Sequence, residues 1–349
     1  MIHVKIGDRN IGGGEPCFII AEAGVNHNGS MELAKKMIKV ARDADADAVK
    51  FQTFKAEDVV TKDAEKAKYQ KETTGSEESQ YEMIKKLELK KDDFKELADY
   101  AKNKGIIFLS SSFDKESVNL LDEINVPAFK IASGEITNFP LLKHVAKKRR
   151  PIILSTGMST LGEVEEALNV IRGDGVKDVI LLHCVSNYPA RIDDANLKAM
   201  ETLKQAFKLP VGFSDHTLGI TASIAAVALG ACVIEKHFTL DRNLPGPDHK
   251  ASLEPDELKE MVNAIRDAEK ALGDGIKRPT KDEEEIKKVA RKSIVAKIGI
   301  PEGTILTENI LDIKRPGTGI EPKYWHFIVG TRAKKDINKD EIITRRMVE

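Results

Sequence analysis

Short apolar runs alternate with amphipathic stretches along most of this chain. Eight such runs stand between residues 17 and 239: CFIIAEA (17–23), DAVKFQTF (47–54), IIFLSSSF (106–113), AFKIAS (128–133), PIILST (151–156), VILLHCV (179–185), VGFSDH (211–216) and CVIEKHFT (232–239). They are short, β-branched and often flanked by Gly or Pro, as strands buried on both faces of a parallel sheet should be. The stretches between them read as helices. In 31–44, Leu33, Met37, Val40, Ala41 and Ala44 recur on one helical face. Thr160 with Glu163, and Ser79 with Glu82, have the capping-box spacing that opens a helix, and Gly173 suits the end of the first of them. Eight βα units in about 250 residues predict an α/β fold of the (β/α)8 TIM-barrel type. A doubly wound open sheet is the competing arrangement, but no GxGxxG follows a strand.

The texture changes after residue 273. The segment DGIKRPTKDEEEIKKVARK (274–292) is charged and nearly free of large apolar residues, and it reads as a linker. Beyond it, short strand-like runs and turn residues predict a small β-rich domain, of a size that is marginal alone. The expected organisation is a barrel over 1–275, a linker over 276–290 and a small domain over 291–349.

Composition narrows the class. The 349 residues carry a net charge of −1, which argues against a general nucleic-acid binder. Cys17, Cys184 and Cys232 each fall in a strand-like run, with no zinc spacing among them, so they read as small hydrophobes of a reduced protein. The N-terminal segment lacks the apolar centre of a signal peptide, and no apolar run is long enough to span a membrane. A cytoplasmic protein with no nucleic-acid or membrane partner is expected.

A TIM barrel builds its active site at the carboxyl ends of its strands. There the eight runs place Glu22; Lys50 and Gln52; Ser111 and Phe113; Lys130, Ser133 and Glu135; Ser155 and Thr156; Ser186 and Tyr188; Ser214 and His216; and Glu235 and His237. Polar residues at the same end of all eight runs are hard to explain as surface decoration. His216 and His237 end neighbouring strands, where two imidazoles suit a divalent metal that keeps open positions for water and substrate. Lys50 and Lys130 interrupt apolar runs, and a buried ammonium needs an anionic partner or a lowered pKa. That partner is Glu22 or Glu135, or else a substrate carboxylate or phosphate; a Schiff-base lysine is a third possibility.

Several motifs, in order, resemble the sialic acid synthase family: IIAEAGVNHNGS (19–30), AVKFQTF (48–54), FKIASGEITNFPLL (129–142), ILSTGMST (153–160), LLHCVSNYPA (181–190), GFSDHT (212–217) and EKHFTLDRNLPGPDHKASLEP (235–255). The C-terminal part looks like the family's antifreeze-like (SAF) domain, with KRPGTGI (314–320) as its marker. The resemblance implies condensation of phosphoenolpyruvate with an N-acylated amino-sugar aldose such as N-acetylmannosamine. It implies His216 and His237 as ligands of Mn2+, with Mg2+ or Co2+ as alternatives. Lys50, Ser111, Lys130, Ser133, Ser155, Ser186 and Ser214 would surround phosphoenolpyruvate, although some members carry Asn where this chain has Ser186. Glu22 would organise a water or a sugar hydroxyl, and Glu135 would orient Lys130 or touch the intermediate. Gln52, Phe113, Tyr188 and Asp248 would face the sugar. Arg315 would reach the sugar's N-acyl group from the other subunit of a domain-swapped homodimer. Sibling synthases use 2,4-diacetamido or 6-phosphorylated sugars; a phosphorylated sugar would need further basic residues, for which Arg191 and Arg242 are available.

Overall fold

The computed structural model describes residues 2–349 and divides into two compact units, Met1–Gly273 and Asp274–Glu349. In the first, eight parallel strands close into a barrel: β3 (Phe18–Gly24), β4 (Ala48–Thr53), β5 (Ile107–Ser112), β6 (Phe129–Ile131), β7 (Ile152–Ser155), β8 (Val179–Cys184), β9 (Val211–Asp215) and β10 (Val233–His237). Neighbours pair in chain order and β10 closes on β3, with His237 opposite Glu22. Seven fall within the runs read from hydropathy and β3 extends one residue past its run, to Gly24; the closed order excludes the open sheet.

Two short strands precede the barrel and are not marked by those runs. β1 (His3–Ile6) and β2 (Arg9–Gly12) form an antiparallel hairpin. Their Val4, Ile6 and Ile11 are buried in one cluster with Phe18, Ile20, Ala48, Leu109, Ala128, Ile153, Leu182 and Val233. Those partners come from six of the barrel strands and the residue just before β6, so the hairpin closes the barrel's lower interior with apolar atoms. Because side chains alternate along a strand, the residue two positions on points into the same interior. From Ile20, Ala48, Leu109, Ala128, Ile153, Leu182 and Val233 this step leads to Glu22, Lys50, Ser111, Lys130, Ser155, Cys184 and Glu235. An apolar floor with a polar ring above it is therefore written into each strand. In β9 the floor position is Gly212, where a side chain would collide with Val233 and Leu182.

The helices pack outside. Met31–Asp43 buries Ala34, Met37, Ile38 and Ala41, so its buried face is turned slightly from the one expected: Leu33 and Val40 are only half-buried. Both capping boxes form. Thr160 N–H donates to Glu163 at 2.7 Å ahead of Leu161–Gly173, and Ser79 N–H donates to Glu82 at 2.9 Å ahead of Gln80–Lys85. Among the described residues no helix is long and apolar enough to cross a membrane.

The second unit contains a third capping box. Thr280 and Glu283 open a helix, Lys281–Ala290, inside the stretch expected to be linker. Its charges sit at helical spacing, with acidic residues in the first turn and Lys287 and Lys288 in the last, so they favour the helix dipole. Then β11 (Ser293–Ala296) pairs antiparallel with β12 (Leu311–Lys314), over a small core that includes Ile294, Ile300, Leu306, Ile320, Ile337 and Ile343.

Candidate active site

A cavity of about 410 Å³ opens at the carboxyl ends of the barrel strands. It is lined by Glu22, Lys50, Gln52, Ser111, Phe113, Lys130, Ser133, Ser155, Ser186, Tyr188, Ser214, His216, His237 and Asp248, all of them expected from the sequence. Two expected residues are elsewhere. Glu135 lies outside the cavity lining, and its carboxylate accepts from Asn138 Nδ2 at 2.7 Å. Arg315 belongs to the second unit, where it is exposed and its Nε donates to the Ala290 carbonyl at 3.0 Å.

The charges form a closed set. Lys50 Nζ lies 2.8 Å from Glu22 Oε2, donates to Ser111 Oγ at 2.8 Å, and stands 3.7 Å from Glu235 Oε2. Lys130 Nζ is 3.5 Å from Glu235 Oε1 and donates to the Ile131 carbonyl at 3.3 Å. The carboxylate beside Lys130 is thus Glu235, two residues before His237, and not Glu135. The strand register explains why. Glu235 points into the barrel as Lys130 does, whereas Glu135 follows the end of β6 in a 3-10 turn, Ser133–Glu135. The cue in the sequence was the alternation in VIEKH, which puts Glu235 and His237 on one face.

Burial divides the two carboxylates. It pushes Glu22 up to about 7, an effect that the Lys50 charge only partly offsets. At Glu235 burial also raises the pKa, but Lys130 and Lys50 together outweigh it and the net shift is downward. Glu22 is therefore the group suited to carry a proton, and Glu235 stays an anion. The lysines divide too. Burial depresses both, but Glu22 and Glu235 bring Lys50 above its ordinary value, whereas Lys130 remains below.

Hydroxyls surround this set. Ser214 Oγ donates to Glu235 at 3.1 Å, Ser133 Oγ accepts from Gly157 N–H at 3.0 Å, and Ser155 Oγ is buried without a partner. Cys184, expected as an inert core thiol, reaches the cavity, with its Sγ 3.3 Å from Ser133 Oγ and 3.7 Å from Ser186 Oγ. Those three side chains meet where Gly157 has none; a Cβ there would collide with all of them.

On the other side stand the imidazoles. The His216 and His237 ring centroids are 5.6 Å apart, and Tyr188 lies 4.1 Å from the first and 5.4 Å from the second. His216 Nδ1 sits 2.7 Å from the Val185 carbonyl, so that nitrogen carries the proton and Nε2 keeps its lone pair. Burial lowers His216 to about 4 and holds His237 well below its ordinary value, so both rings are neutral. His237 Nδ1 is buried without a hydrogen-bond partner, and Asp248, which burial raises to about 6, is 4.0 Å away. Among the described residues no three His, Cys, Asp or Glu side chains gather closely enough to hold a metal unaided. Two neutral imidazoles, one with an orphaned nitrogen, nevertheless fit a divalent ion that completes its shell with water and substrate oxygens.

The far wall is uncharged. Val25, Phe54 and Leu87 cluster with Val59, Ile84 and Phe113, and Phe54 meets Phe113 edge-on at 6.2 Å. Arg191 pairs with Asp193 at 3.5 Å, Arg242 bonds Glu257, and neither lines the cavity.

Residues 37–277 match the NeuB family model and residues 291–349 the SAF domain model. The chain belongs to the NeuB family. It is 56% identical to the N,N'-diacetyllegionaminic acid synthase of Campylobacter jejuni, over 93% of this chain and 98% of that protein. It is 39% identical to the human N-acetylneuraminate-9-phosphate synthase, over 98% and 95% of the two chains. Among solved structures, the N-acetylneuraminic acid synthetase of Leptospira borgpetersenii, in complex with citrate, aligns with a TM-score of 0.72 and 39% identity, covering 82% of this chain and 95% of that one. These NeuB-family relatives are sugar-acid synthases, and the barrel with its SAF domain is the architecture expected of the family.

Proposed function

We propose that this NeuB-family chain condenses phosphoenolpyruvate with an amino-sugar aldose and water, giving a nonulosonic acid and phosphate, and that the aldose is a 2,4-diacetamido sugar. The observation that carries the reading is the division of one cavity into a cationic half, with Lys50, Lys130 and the serines, and an uncharged half. The cationic half suits a small ligand bearing both carboxylate and phosphate. The sequence favoured N-acetylmannosamine as acceptor, with the 2,4-diacetamido and 6-phosphorylated sugars as siblings. The 56% identity to a diacetyllegionaminic acid synthase supports the diacetamido sibling. Against a phosphorylated acceptor stands the lack of a third lysine or any arginine among the described residues that line the cavity.

In this reading Lys50 and Lys130 keep their contacts with Glu22 and Glu235 and add to them the ligand's carboxylate and phosphate. Ser111, Ser133, Ser155, Ser186 and Ser214 donate to the same oxygens. The methylene carbon of phosphoenolpyruvate attacks the aldehyde, water adds to the neighbouring carbon, and that tetrahedral carbon expels phosphate by C–O cleavage. Glu22, poised near neutrality beside Lys50, takes the proton from the attacking water. Glu235 stays ionised and holds the two ammonium groups in place. His216 and His237 are the residues that would hold a divalent ion, Mn2+ first among the candidates, and such an ion supplies Lewis-acid polarisation of the aldehyde. Gln52, Tyr188 and Asp248 face the acceptor, and Arg315 of a partner subunit completes its acyl end in a homodimer.

The test is phosphate release from phosphoenolpyruvate with 2,4-diacetamido-2,4,6-trideoxymannose, N-acetylmannosamine or its 6-phosphate, with and without chelator. The diacetamido sugar should give the highest kcat/KM, and chelation should abolish turnover. Preference for the 6-phosphate would overturn the acceptor assignment, and full activity in chelator would overturn the metal.

A further inference from the structure

The barrel strands supply every charged group at the cavity's base, but much of its far wall comes from one excursion of the chain. Between β4 and the helix Lys91–Lys104, residues 54–90 leave the barrel and return, carrying the short helices Ala56–Val59, Lys68–Thr74 and Gln80–Lys85. The segment is rich in Lys and Glu, yet none of its charged side chains lines the cavity among the described residues. Lys66, its one buried lysine, is occupied within the excursion by Glu78 at 3.1 Å, Thr74 at 2.9 Å and the Gly75 carbonyl at 3.0 Å. What the excursion turns toward the cavity is polar but neutral, or apolar.

The neutral part is a row of three side chains. Gln80 Nε2 lies 3.4 Å from Gln70 Oε1, and Gln70 Nε2 lies 3.3 Å from the Tyr69 hydroxyl. Tyr69 packs against Tyr188 with centroids 5.2 Å apart and planes tilted by 32°, and Tyr188 in turn packs against His216. The row thus begins at the imidazole end of the cavity and runs out along the wall. Met83, Ile84 and Leu87, from the helix that Gln80 opens and the turn after it, lie beside it on the same cavity wall.

We propose that this excursion selects the acceptor, with Gln70 and Gln80 bonding a second acylamino group of the sugar and Met83, Ile84 and Leu87 enclosing its methyl. The inference rests on the acceptor reading above and extends it to named residues. An acylamino group carries its N–H donor and its carbonyl acceptor on separate atoms, so it can bond two neighbouring amide side chains at once, whereas a hydroxyl offers both functions from a single oxygen and cannot span the row. The Gln70 carbonyl already holds Ala67 N–H at 2.9 Å and receives Gln80 Nε2, while the Gln80 carbonyl takes no partner among the described residues. Gln80 is therefore the residue with bonding capacity to spare. A sugar with a hydroxyl at that place can reach the Gln80 carbonyl but leaves the rest of the row and the apolar pocket unfilled, and both lower its transition-state binding.

The experiment is a steady-state comparison of Gln80→Leu with the wild type, using 2,4-diacetamido-2,4,6-trideoxymannose and N-acetylmannosamine. The quantity read is the ratio of their kcat/KM values. Gln80→Leu should lower the ratio at least tenfold, chiefly through the KM of the diacetamido sugar, with the KM for phosphoenolpyruvate unchanged. Gln80→Met keeps the length and loses the accepting carbonyl; it should lower the ratio too, and it decides the matter should the leucine variant not fold. An unchanged ratio in the folded variant overturns the proposal, as does an equal loss with both sugars. The wild-type ratio separately tests the acceptor reading, because a wild type that prefers N-acetylmannosamine refutes that reading while the change on substitution still reports on Gln80.

Discussion

Lys236 Nζ lies 2.9 Å from Asp215 Oδ2, in an ion pair almost wholly withdrawn from water. The two residues are chain neighbours of the two histidines: Asp215 precedes His216 and Lys236 precedes His237. Alternation along β9 and β10 turns the histidines to the cavity and this pair to the outer face of the same two strands. Asp215 also accepts from Thr217 N–H at 2.8 Å, Thr217 Oγ1 at 2.7 Å and Ser223 Oγ at 2.7 Å. The pair therefore ties together the two strand ends that set the imidazole spacing. Lys236→Met leaves Asp215 charged and unpaired, and breaking a buried pair this way costs about 3–5 kcal/mol. It should also weaken binding of Mn2+ by about 10–100-fold, the usual effect of losing outer-shell support. Calorimetric titration of the metal-free protein with Mn2+ reads the second effect, and unchanged affinity in the folded variant would show that the pair holds only the fold.

The two cavity lysines should separate stability from activity. Lys50 answers to both Glu22 and Glu235 and is held above its ordinary pKa, so the fold favours its charge. Lys130 is held below, so the fold tolerates its charge at a cost. Lys50→Met should lower stability by about 2–4 kcal/mol, because Glu22 loses its nearest cation and Glu235 one of its two. Lys130→Met should leave stability unchanged or slightly raised. Both should lose at least a hundredfold in kcat/KM for phosphoenolpyruvate. Urea denaturation of the two variants, read beside their kinetics, checks the asymmetry, and equal destabilisation would refute it.

The fold was legible because each barrel strand carries its own evidence: apolar at the floor, polar two residues later. Ile20 and Glu22, or Val233 and Glu235, show it within a single run. Most of the site was legible for the same reason. Glu235 as the partner of Lys130 was not, because it depends on which strands face each other across the barrel, whereas Glu135 was merely near Lys130 in the chain. Gln70 and Gln80 were hidden because their helices are short and polar, with no stripe to mark them. Charge hid the helix Lys281–Ala290, since composition reads as linker what spacing and the Thr280–Glu283 box read as helix.

Acid should weaken the barrel through two histidines beside the cavity. His27 and His249 are buried, and burial lowers each to about 4. His27 Nδ1 accepts from Gly29 N–H at 3.0 Å; His249 bonds Thr239 Oγ1 at 2.7 Å and Asn28 Oδ1 at 3.1 Å. In the unfolded chain both protonate near pH 6.5. Between that value and about 4 the unfolded state binds more protons than the folded one, so stability falls as pH drops through this window and is unaffected above it. The loss reaches on the order of 3 kcal/mol per histidine at the bottom of the window. Urea midpoints at several pH values should show the slope, and His27→Asn, whose Oδ1 replaces the accepting nitrogen, should flatten it. An equally steep slope in that variant would assign the acid sensitivity elsewhere.

Arg315 offers the test of assembly. Its segment is anchored to the helix Lys281–Ala290: Arg315 Nε donates to the Ala290 carbonyl at 3.0 Å, and Gly317 N–H to the Lys288 carbonyl at 2.8 Å. A side chain at Gly317 would strike Arg291, which makes glycine necessary for that close approach. The guanidinium is exposed, and its two terminal nitrogens take no partner among the described residues, so a fixed loop presents a planar donor fork outward. Such a fork suits an acyl carbonyl better than a lysine would. In a homodimer whose small domains serve the opposite barrels, Arg315→Ala should raise the aldose KM at least tenfold, with the KM for phosphoenolpyruvate and the metal content unchanged. A solvated surface arginine would leave all three alone. Mixing Arg315→Ala with His237→Ala, under conditions where subunits exchange, should restore part of the activity. In the mixed dimer the intact barrel of the first variant meets the intact Arg315 loop of the second, whereas each variant alone has only damaged sites. Sedimentation showing an active monomer would refute the arrangement, as would no recovery after exchange has been demonstrated with labelled subunits.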